Sequence, residues 1–226
     1  MNRAQFNAYK SEFRGVIRQV LSESEGGRMD EAAFPAYSHP NPLISRLFWQ
    51  RLRVVMDYIE KLAPCSHALD FGCGSGVILP FLSTLSQHVT AMDVDLVPFE
   101  RIRQLRPFPP NLEVLDARQQ RLQDLPRASF DLIVALDVLE HVENLPDTLA
   151  DLHALLRPGG QIVISGPTEN FLYRLGRALA GPEYSGSYHE RGISEVRMQL
   201  AERMQVIPIA TLYWSFPLFD IFAARS

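Results

Sequence analysis

The sequence predicts an α/β fold organised around a doubly wound, mostly parallel β-sheet. From residue 67 onward, short apolar runs alternate with segments of helical periodicity, and this βαβαβ order implies right-handed crossovers. Several of the apolar runs are almost continuous, which is typical of parallel strands that are covered on both faces. Turn signals separate the elements, most clearly the Arg-Pro-Gly-Gly stretch at residues 157–160, which we expect to break the chain just before the fifth strand.

This alternation defines five strands and three helices in the central region. The strands are predicted at 67–71, 89–93, 112–115, 132–135 and 161–165, and the helices at 76–85, 97–105 and 147–156. Two later apolar runs predict strands at 206–213 and 219–224.

Three helical features flank this core. Apolar residues at three-to-four spacing predict an amphipathic helix over 2–21. After a glycine-containing connector at 22–30, Asn41 and Pro42 provide the N-cap and first turn of a second helix that ends at Pro64. Near the C-terminus, Ser194 is expected to cap a helix, with Ile193 and Met198 as its hydrophobic staple.

Composition excludes several classes of protein. The chain has 226 residues, 46% hydrophobic and 21% charged, so it suits one domain with a full core. A net charge of −4 gives no basic field for nucleic acid. The two cysteines suggest a reducing compartment, and no apolar run approaches the ~20 residues that span a bilayer. The N-terminus lacks the apolar centre of a signal peptide, so a cytoplasmic location is expected.

The most informative segment is Leu-Asp-Phe-Gly-Cys-Gly-Ser-Gly at residues 69–76. It lies between two apolar runs and therefore predicts a strand, a glycine turn and a helix. Three alternating glycines would let the backbone approach a ligand without Cβ clashes. Asp70 places a carboxylate immediately before the turn, and such a charge favours a cationic nucleoside over a diphosphate.

Residues 69–76 resemble the first motif of the class I S-adenosylmethionine-dependent methyltransferases, and four further segments follow in that family's order and spacing, over about residues 65–166. The resemblance implies a Rossmann-like, seven-stranded sheet with an antiparallel last strand. It also implies S-adenosylmethionine as cofactor and S-adenosylhomocysteine as product. The residues expected to hold the methionine part of the cofactor are Asp70, Gly72, Cys73, Gly74 and Gly76.

Two acidic positions follow the next two strands. Asp93 can accept hydrogen bonds from both ribose hydroxyls, with Val94 beside it, although the NAD-binding fingerprint has an acid at the same distance. Asp95 is interpreted as an acid at a helix start. The pair Asp116-Ala117 matches the family's Asp-Ala pair, which implies that the carboxylate accepts from the adenine amino group and that Ala117 offers its backbone N–H.

Residues 130–142 resemble the same segment of the ubiquinone/menaquinone-biosynthesis type of methyltransferase. The resemblance implies that Leu136 and Asp137 flank the sulfonium end of the cofactor. On a helix, Asp137, Glu140 and His141 would share one face and could bind a divalent metal. We favour the alternative, a local hydrogen-bonded pair of Glu140 and His141 with no metal.

The catalytic base is expected among two histidines. His189 lies in a segment that folds over the substrate in the family, and its ordinary pKa is near neutrality. His141 is the second candidate. Residues 171–179 form a short amphipathic stretch that could line an apolar pocket or make weak contact with a membrane surface, and the interpretation we favour is a plain packing helix.

Together these features predict methyl transfer from S-adenosylmethionine to an O, N or C nucleophile of a small or lipid-like organic acceptor. The alternatives are an NAD-dependent oxidoreductase, a nucleic-acid methyltransferase and a protein that binds the cofactor without catalysis. We expect an N-terminal helical cap at 1–48 and a catalytic domain at 49–226, with a lid insertion at about 167–192. Deleting residues 1–21 is expected to leave S-adenosylhomocysteine binding nearly intact while abolishing methyl transfer.

Overall fold

A computed structural model describes residues 1–23, 37–39, 41–168, 192–212 and 217–226. This part of the chain contains six α-helices and seven β-strands. The helices are α1 (Arg3–Glu23), α2 (Pro42–Ile59), α3 (Leu79–Leu85), α4 (Val97–Leu105), α5 (Leu145–Leu155) and α6 (Ile193–Ala201). The strands are β1 (Cys65–Phe71), β2 (Ser86–Asp93), β3 (Leu112–Asp116), β4 (Phe130–Leu136), β5 (Leu156–Pro167), β6 (Gln205–Leu212) and β7 (Phe219–Arg225).

The strands form one sheet in the order β3-β2-β1-β4-β5-β7-β6. Strands β1 to β5 pair in parallel, whereas β7 lies antiparallel between β5 and β6. The chain starts near the centre of the sheet, proceeds outward to β3 and then crosses to β4 on the other side of β1. The predicted seven-stranded, doubly wound fold with an antiparallel last strand is therefore confirmed.

Several predicted boundaries were wrong by a few residues. The third helix starts at Leu79, because Gly76 has a φ of +72° and keeps residues 76–78 in a turn. Helix α5 starts at Leu145, where the side chain of Asn144 accepts a hydrogen bond from the amide of Asp147. The Arg-Pro-Gly-Gly stretch lies inside β5. The register of β4 and β5 shifts between the pairs Phe130–Leu156 and Leu132–Gln161, so strand pairing begins before the turn.

The predicted cap of the last helix was also wrong. Helix α6 begins at Ile193, and Gly192 occupies the N-cap without a side-chain hydrogen bond. Ser194 therefore lies within the first turn. Met198 is 61% exposed, so it does not form the expected staple with the buried Ile193. The Ile193 side chain instead packs against Gly166 of β5, where a Cβ would lie 2.6 Å from its terminal carbon.

Helix α1 belongs to the central core. Asn2 and Gln5 exchange two capping hydrogen bonds of 2.9 Å at its start, an Asn-x-x-Gln form of capping box. Its buried face contributes to the cluster that also contains residues of α2, β1 and β4, and the members from α1 are Phe6, Phe13, Ile17 and Val20. The Tyr9 hydroxyl donates to the carbonyl of Val77, directly after the glycine loop.

This packing makes α1 part of the central core, and the effect of removing residues 1–21 on cofactor binding stays a prediction. Phe13 and Ile17 are fully buried, so deletion would expose the apolar surface of the helices beneath them. The predicted boundary at residue 48 falls inside α2. No helix in the described ranges is long and apolar enough to cross a membrane.

We predict that Phe13→Ala lowers the free energy of unfolding by about 3–5 kcal/mol, because it removes a fully buried ring and leaves a cavity. Urea unfolding followed by circular dichroism measures this change. Leu43→Ala is the matched control, since Leu43 is 72% exposed and its truncation should change stability by less than about 0.5 kcal/mol. Equal effects of the two variants would show that α1 is an appendage.

Candidate functional site

The sheet order brings four carboxylates to the same edge. Asp116, Asp93 and Asp70 lie at or near the carboxyl ends of β3, β2 and β1, and Asp137 directly follows β4. Asp93 and Asp116 are direct register partners. In open α/β sheets, ligands bind beyond the carboxyl ends of the strands, near the point where the strand order reverses. Here that point lies between β1 and β4.

The glycine loop between β1 and α3 is held tightly by backbone hydrogen bonds. The Gly72 amide donates to the Met92 carbonyl at 2.8 Å, and the Gly76 amide donates to the Cys73 carbonyl at 2.8 Å. Gly72, Gly74 and Gly76 all have positive φ angles, of +78°, +53° and +72°. Such angles favour glycine, so the turn requires these residues before any ligand is considered.

Two of the glycines also make room for the protein's own side chains. A Cβ on Gly72 would lie 2.4 Å from a methyl carbon of Val138, and one on Gly76 would lie 2.9 Å from the Phe99 ring. These contacts give a second reason for glycine at both positions, and the approach of a ligand to this loop stays a prediction. Gly72 lets the loop pack against the segment that follows β4.

Asp93 anchors the loop to β2. Its Oδ2 accepts the Gly74 amide at 2.7 Å, and its Oδ1 accepts the Asp95 amide at 2.9 Å. Each carboxylate oxygen can accept a second hydrogen bond, so Asp93 retains acceptor capacity for a ligand. Val94 is 63% exposed beside it. Asp95 accepts the Val97 amide at 3.0 Å, consistent with an acid at the start of α4.

Asp70 is the most unusual carboxylate of the four. Its side chain is 2% exposed, and within the described residues its Oδ2 has no hydrogen-bond partner. Burial, together with the negative charge of Asp93, raises the pKa of Asp70 to about 8. A buried carboxylate without a partner is costly, and such groups concentrate at functional sites. The site therefore has a place for a hydrogen-bond donor or a cation at Asp70.

Cys73 lies in the same loop and is buried. Burial and the charges of Asp70 and Asp93 raise the pKa of its thiol well above the ordinary value. The side chain is therefore a neutral thiol, which is a poor nucleophile and a poor metal ligand.

Asp116 forms a dense local network. Its carboxylate accepts the Arg118 amide at 2.9 Å and the Arg118 guanidinium at 3.0 and 2.9 Å. The Ala117 amide donates to the Asp93 carbonyl at 2.9 Å, because the pairing of β2 and β3 continues one residue beyond the strands. The expectation that Ala117 offers a free N–H to adenine was therefore wrong.

Asp137 pairs with a buried cation that sequence reasoning missed. Arg51 of α2 is 2% exposed, and its guanidinium donates to Asp137, to the Tyr37 hydroxyl at 2.8 Å and to the Ser165 hydroxyl at 3.3 Å. The guanidinium carbon lies 5.1 Å and 5.2 Å from the ring centres of Phe48 and Phe219. Asp137 neutralises a guanidinium charge that would otherwise be buried alone.

The burial of Arg51 could have been predicted from the sequence. It lies three residues after Phe48 and four before Val55, so it interrupts the apolar face of α2 at a position that should be buried. A charged residue on such a face must find a partner. Nothing in the sequence indicates that the partner is Asp137, which lies 86 residues further along the chain.

The expected shared helix face of Asp137, Glu140 and His141 was wrong. Asp137 has a φ of +55° and Leu139–His141 forms a single 3₁₀ turn, so the three side chains do not follow α-helical spacing. Glu140 is 2% exposed, whereas His141 lies on the surface. Within the described ranges, no group of three histidine, cysteine or acidic side chains is placed to hold a metal ion.

Two elements of the predicted site lie outside the described residues. They are His189, proposed as a base, and the lid segment 171–192, apart from Gly192 at its end. Two surface cavities, of about 700 and 220 Å³, lie at the opposite edge of the sheet, near the amino ends of the parallel strands. Neither cavity contains a residue of the predicted site.

Comparison with known proteins connects this geometry to a family. Residues 46–219, about three quarters of the chain, match the model of a family described as a methyltransferase domain. The ubiquinone biosynthesis O-methyltransferase of Xylella fastidiosa (strain 9a5c) is 37% identical over 138 residues, covering 58% of this chain and 54% of that protein. Its counterpart from Marinobacter nauticus is 27% identical over 150 residues, covering 62% and 60%. The chain thus spans little more than half the length of these curated relatives.

A solved structure supports the same fold. The crystal structure of the N-methyltransferase NodS from Bradyrhizobium japonicum WM9, in complex with S-adenosylhomocysteine, matches with a TM-score of 0.60 at 18% identity. The match covers 95% of this chain and 97% of NodS. A methyltransferase from Archaeoglobus fulgidus, described as dependent on S-adenosylmethionine, gives a TM-score of 0.59 at 16% identity.

The raised pKa of Asp70 predicts a pH-dependent stability for the ligand-free protein. Between about pH 4 and pH 8 the folded state holds a proton that the unfolded chain releases, so the free energy of unfolding decreases as pH rises through this range. Asp70→Asn removes this titration. In urea unfolding, its stability relative to wild type should therefore be greater at pH 8 than at pH 5.

Asp57→Asn is the control for that measurement, because Asp57 is half exposed and pairs with Arg53 on the surface of α2. Its stability relative to wild type should differ little between the two pH values. If the difference between Asp70→Asn and wild type were the same at pH 5 and pH 8, Asp70 would not carry a raised pKa.

Proposed function

This chain belongs to the methyltransferase-domain family with the class I fold, and we propose that it transfers a methyl group from S-adenosylmethionine to a small or lipid-like organic acceptor. The observation that carries the proposal is the buried Asp70, with one carboxylate oxygen lacking a partner in the described residues. An α-ammonium group supplies the positive charge and the donors that this oxygen lacks.

The remaining strand-end residues fit other parts of the same cofactor. We assign the ribose hydroxyls to Asp93, whose two anchoring amides fix its orientation and leave acceptor capacity on both oxygens. The exposed Val94 would contact the nucleoside, and Asp116 would accept from the adenine amino group.

Arg51 is the natural partner for the carboxylate of the methionine part. Its Nε is buried and has no partner in the part of the chain that the structure describes. A guanidinium presents its donors in a planar fork that matches a carboxylate. With Asp70 receiving the ammonium group and Arg51 the carboxylate, the site would recognise both charges of an amino acid.

When bound, S-adenosylmethionine would supply a sulfonium-bound methyl group for in-line attack by an acceptor nucleophile, with the thioether S-adenosylhomocysteine as the leaving group. The chain's own contribution is alignment and exclusion of water. Leu136 and Asp137 would lie beside the reacting centre. Asp137 Oδ1 has no partner among the described residues, so it can accept a hydrogen bond from an acceptor hydroxyl or amine and orient it.

The named relatives support a lipid-like acceptor, since they act in ubiquinone biosynthesis. Two alternatives are less well supported. An NAD-dependent oxidoreductase would place a diphosphate at the glycine loop, where two acids, Asp70 and Asp93, lie and where the Gly74 amide already donates to Asp93. A nucleic-acid methyltransferase would require a basic surface, and the net charge of −4 does not favour one.

Calorimetry tests the cofactor assignment. We predict that S-adenosylhomocysteine binds with micromolar affinity and that NAD binds far more weakly. Asp93→Ala should reduce the affinity for S-adenosylhomocysteine at least tenfold, because each charge-assisted hydrogen bond to the ribose contributes about 1.5–3 kcal/mol. Tight binding of NAD without binding of S-adenosylhomocysteine would overturn the proposal.

Glu113→Ala is the matched control, because this carboxylate is exposed on the neighbouring strand β3 and is not part of the proposed site. It should leave the affinity unchanged. Thermal melting of both variants must show that they remain folded, since Asp93 also anchors the glycine loop. Transfer of a radiolabelled methyl group to hydroxylated quinol acceptors then separates an enzyme from a protein that only binds the cofactor.

Activity should not require a metal. The structure pairs Asp137 with Arg51, and Glu140 and His141 differ in burial, so these side chains do not form a ligand set. We predict that methyl transfer persists in excess EDTA and that elemental analysis finds no stoichiometric metal. A stoichiometric ion that is lost in Glu140→Ala would contradict this prediction.

A further inference from the structure

Arg118 and Asp116 form a closed local pair at the carboxyl end of β3. The Arg118 Nε donates to Asp116 Oδ1 at 3.0 Å, and Nη2 donates to Oδ2 at 2.9 Å. The Arg118 amide donates to Oδ1 as well, at 2.9 Å. This is a bidentate arrangement reinforced by a backbone hydrogen bond, which fixes the plane of the carboxylate.

The acceptor positions of Asp116 can be counted. A carboxylate has about four lone-pair positions, two on each oxygen. Arg118 fills both positions on Oδ1 and one on Oδ2. The fourth receives the Gln119 side-chain amide at 3.4 Å, which is long for a hydrogen bond. One acceptor position on Oδ2 is therefore held weakly enough for another N–H donor to replace Gln119.

The two side chains of this pair differ in their exposure to solvent. The Arg118 side chain is 67% exposed, whereas that of Asp116 is 16% exposed, so the guanidinium lies on the outer side of the carboxylate. Asp93 is the register partner of Asp116 on β2, and Asp95 acts electrostatically on Arg118. Arg118 is thus a cation that interacts with two acids at this corner of the site, Asp116 and Asp95.

We propose that Arg118 is a positioning residue that sets the specificity for the adenine base: it orients Asp116 and leaves one of its acceptor positions for a single exocyclic amino group. This inference rests on the proposed function, because it takes Asp116 as the adenine contact. Arg118 does not touch the base in this assignment. It acts through the orientation and the charge of Asp116.

The charge of Asp116 gives a second readout. Hydrogen bonds from the Arg118 side chain and amide lower the pKa of Asp116. Without the Arg118 side chain, its hydrogen bonds and its positive charge no longer favour the ionised form of Asp116. Removing the guanidinium should therefore raise the pKa of Asp116. The carboxylate would then be protonated at a higher pH, and protonation removes the acceptor for the adenine amino group.

The experiment compares two ligands by calorimetry between about pH 3.5 and pH 7, a range that includes the ordinary pKa of an aspartate. One is S-adenosylhomocysteine, and the other is its analogue with hydrogen in place of the purine 6-amino group. Arg118→Ala should weaken binding of S-adenosylhomocysteine about tenfold at pH 7. The acid limb of its affinity, the pH range in which acidification weakens binding, should shift to higher pH. Binding of the deamino analogue should change less than twofold. Arg118→Lys keeps a cation without the fork, so it should restore the acid limb but only part of the affinity.

Arg103→Ala is the matched control, because Arg103 is 54% exposed on α4 and pairs with Glu100 at 2.9 Å. It should bind both ligands as the wild type does. Equal losses for the two ligands in Arg118→Ala, unchanged affinity, or tighter binding would overturn the inference while leaving the proposed function intact. If the wild-type protein does not bind S-adenosylhomocysteine at all, the proposed function fails, and this inference fails with it.

Discussion

The buried pairing of Arg51 with Asp137 is the interaction on which much of the structure around the site depends. A guanidinium that is 2% exposed must be neutralised, and removal of its carboxylate partner would leave an uncompensated buried charge. The pair joins the middle of α2 to the end of β4, and the contact with Ser165 extends it to β5. It therefore fixes the helix layer over the edge of the sheet at which the parallel strands end.

Helix α1 is positioned in turn by α2. Phe6 of α1 packs edge-on against Trp49 of α2, with ring centres 6.1 Å apart, and Tyr9 reaches the carbonyl of Val77 after the glycine loop. The N-terminal segment is thus connected to the site through packing and one hydrogen bond. This connection explains why the first 21 residues form part of the core instead of a detachable cap.

Asp70 and Asp137 lie at neighbouring strand ends, but the surroundings of their carboxylates differ. Asp137 receives a cation from the protein itself, whereas Asp70 Oδ2 is buried without a partner among the described residues. The raised pKa of Asp70 means that folding at neutral pH retains a proton there. A ligand that brings a positive charge would replace this proton. The arrangement reduces stability in the free protein and favours binding of a cationic ligand.

The sequence by itself determined the order of elements and the acids at the strand ends. Alternating or continuous apolar runs are local signals, and glycine and proline mark where they end. The strands β1 to β5 and the order of their crossovers could therefore be predicted. Asp70, Asp93 and Asp116 could be predicted for the same reason, because each lies at a strand end that the pattern locates. The limits of α3, α5 and α6 were less accurate, since capping and positive φ angles depend on single residues.

Only the tertiary structure decided which side chains meet. The partner of Arg51 lies 86 residues away, and the clash that requires glycine at 72 comes from Val138 in a different loop. The engagement of the Ala117 amide depends on the register of β2 with β3. Contacts of this kind are absent from local periodicity, because they arise when distant segments are packed together. The sequence therefore placed the acids at the strand ends, whereas the packing determined how their charges are paired.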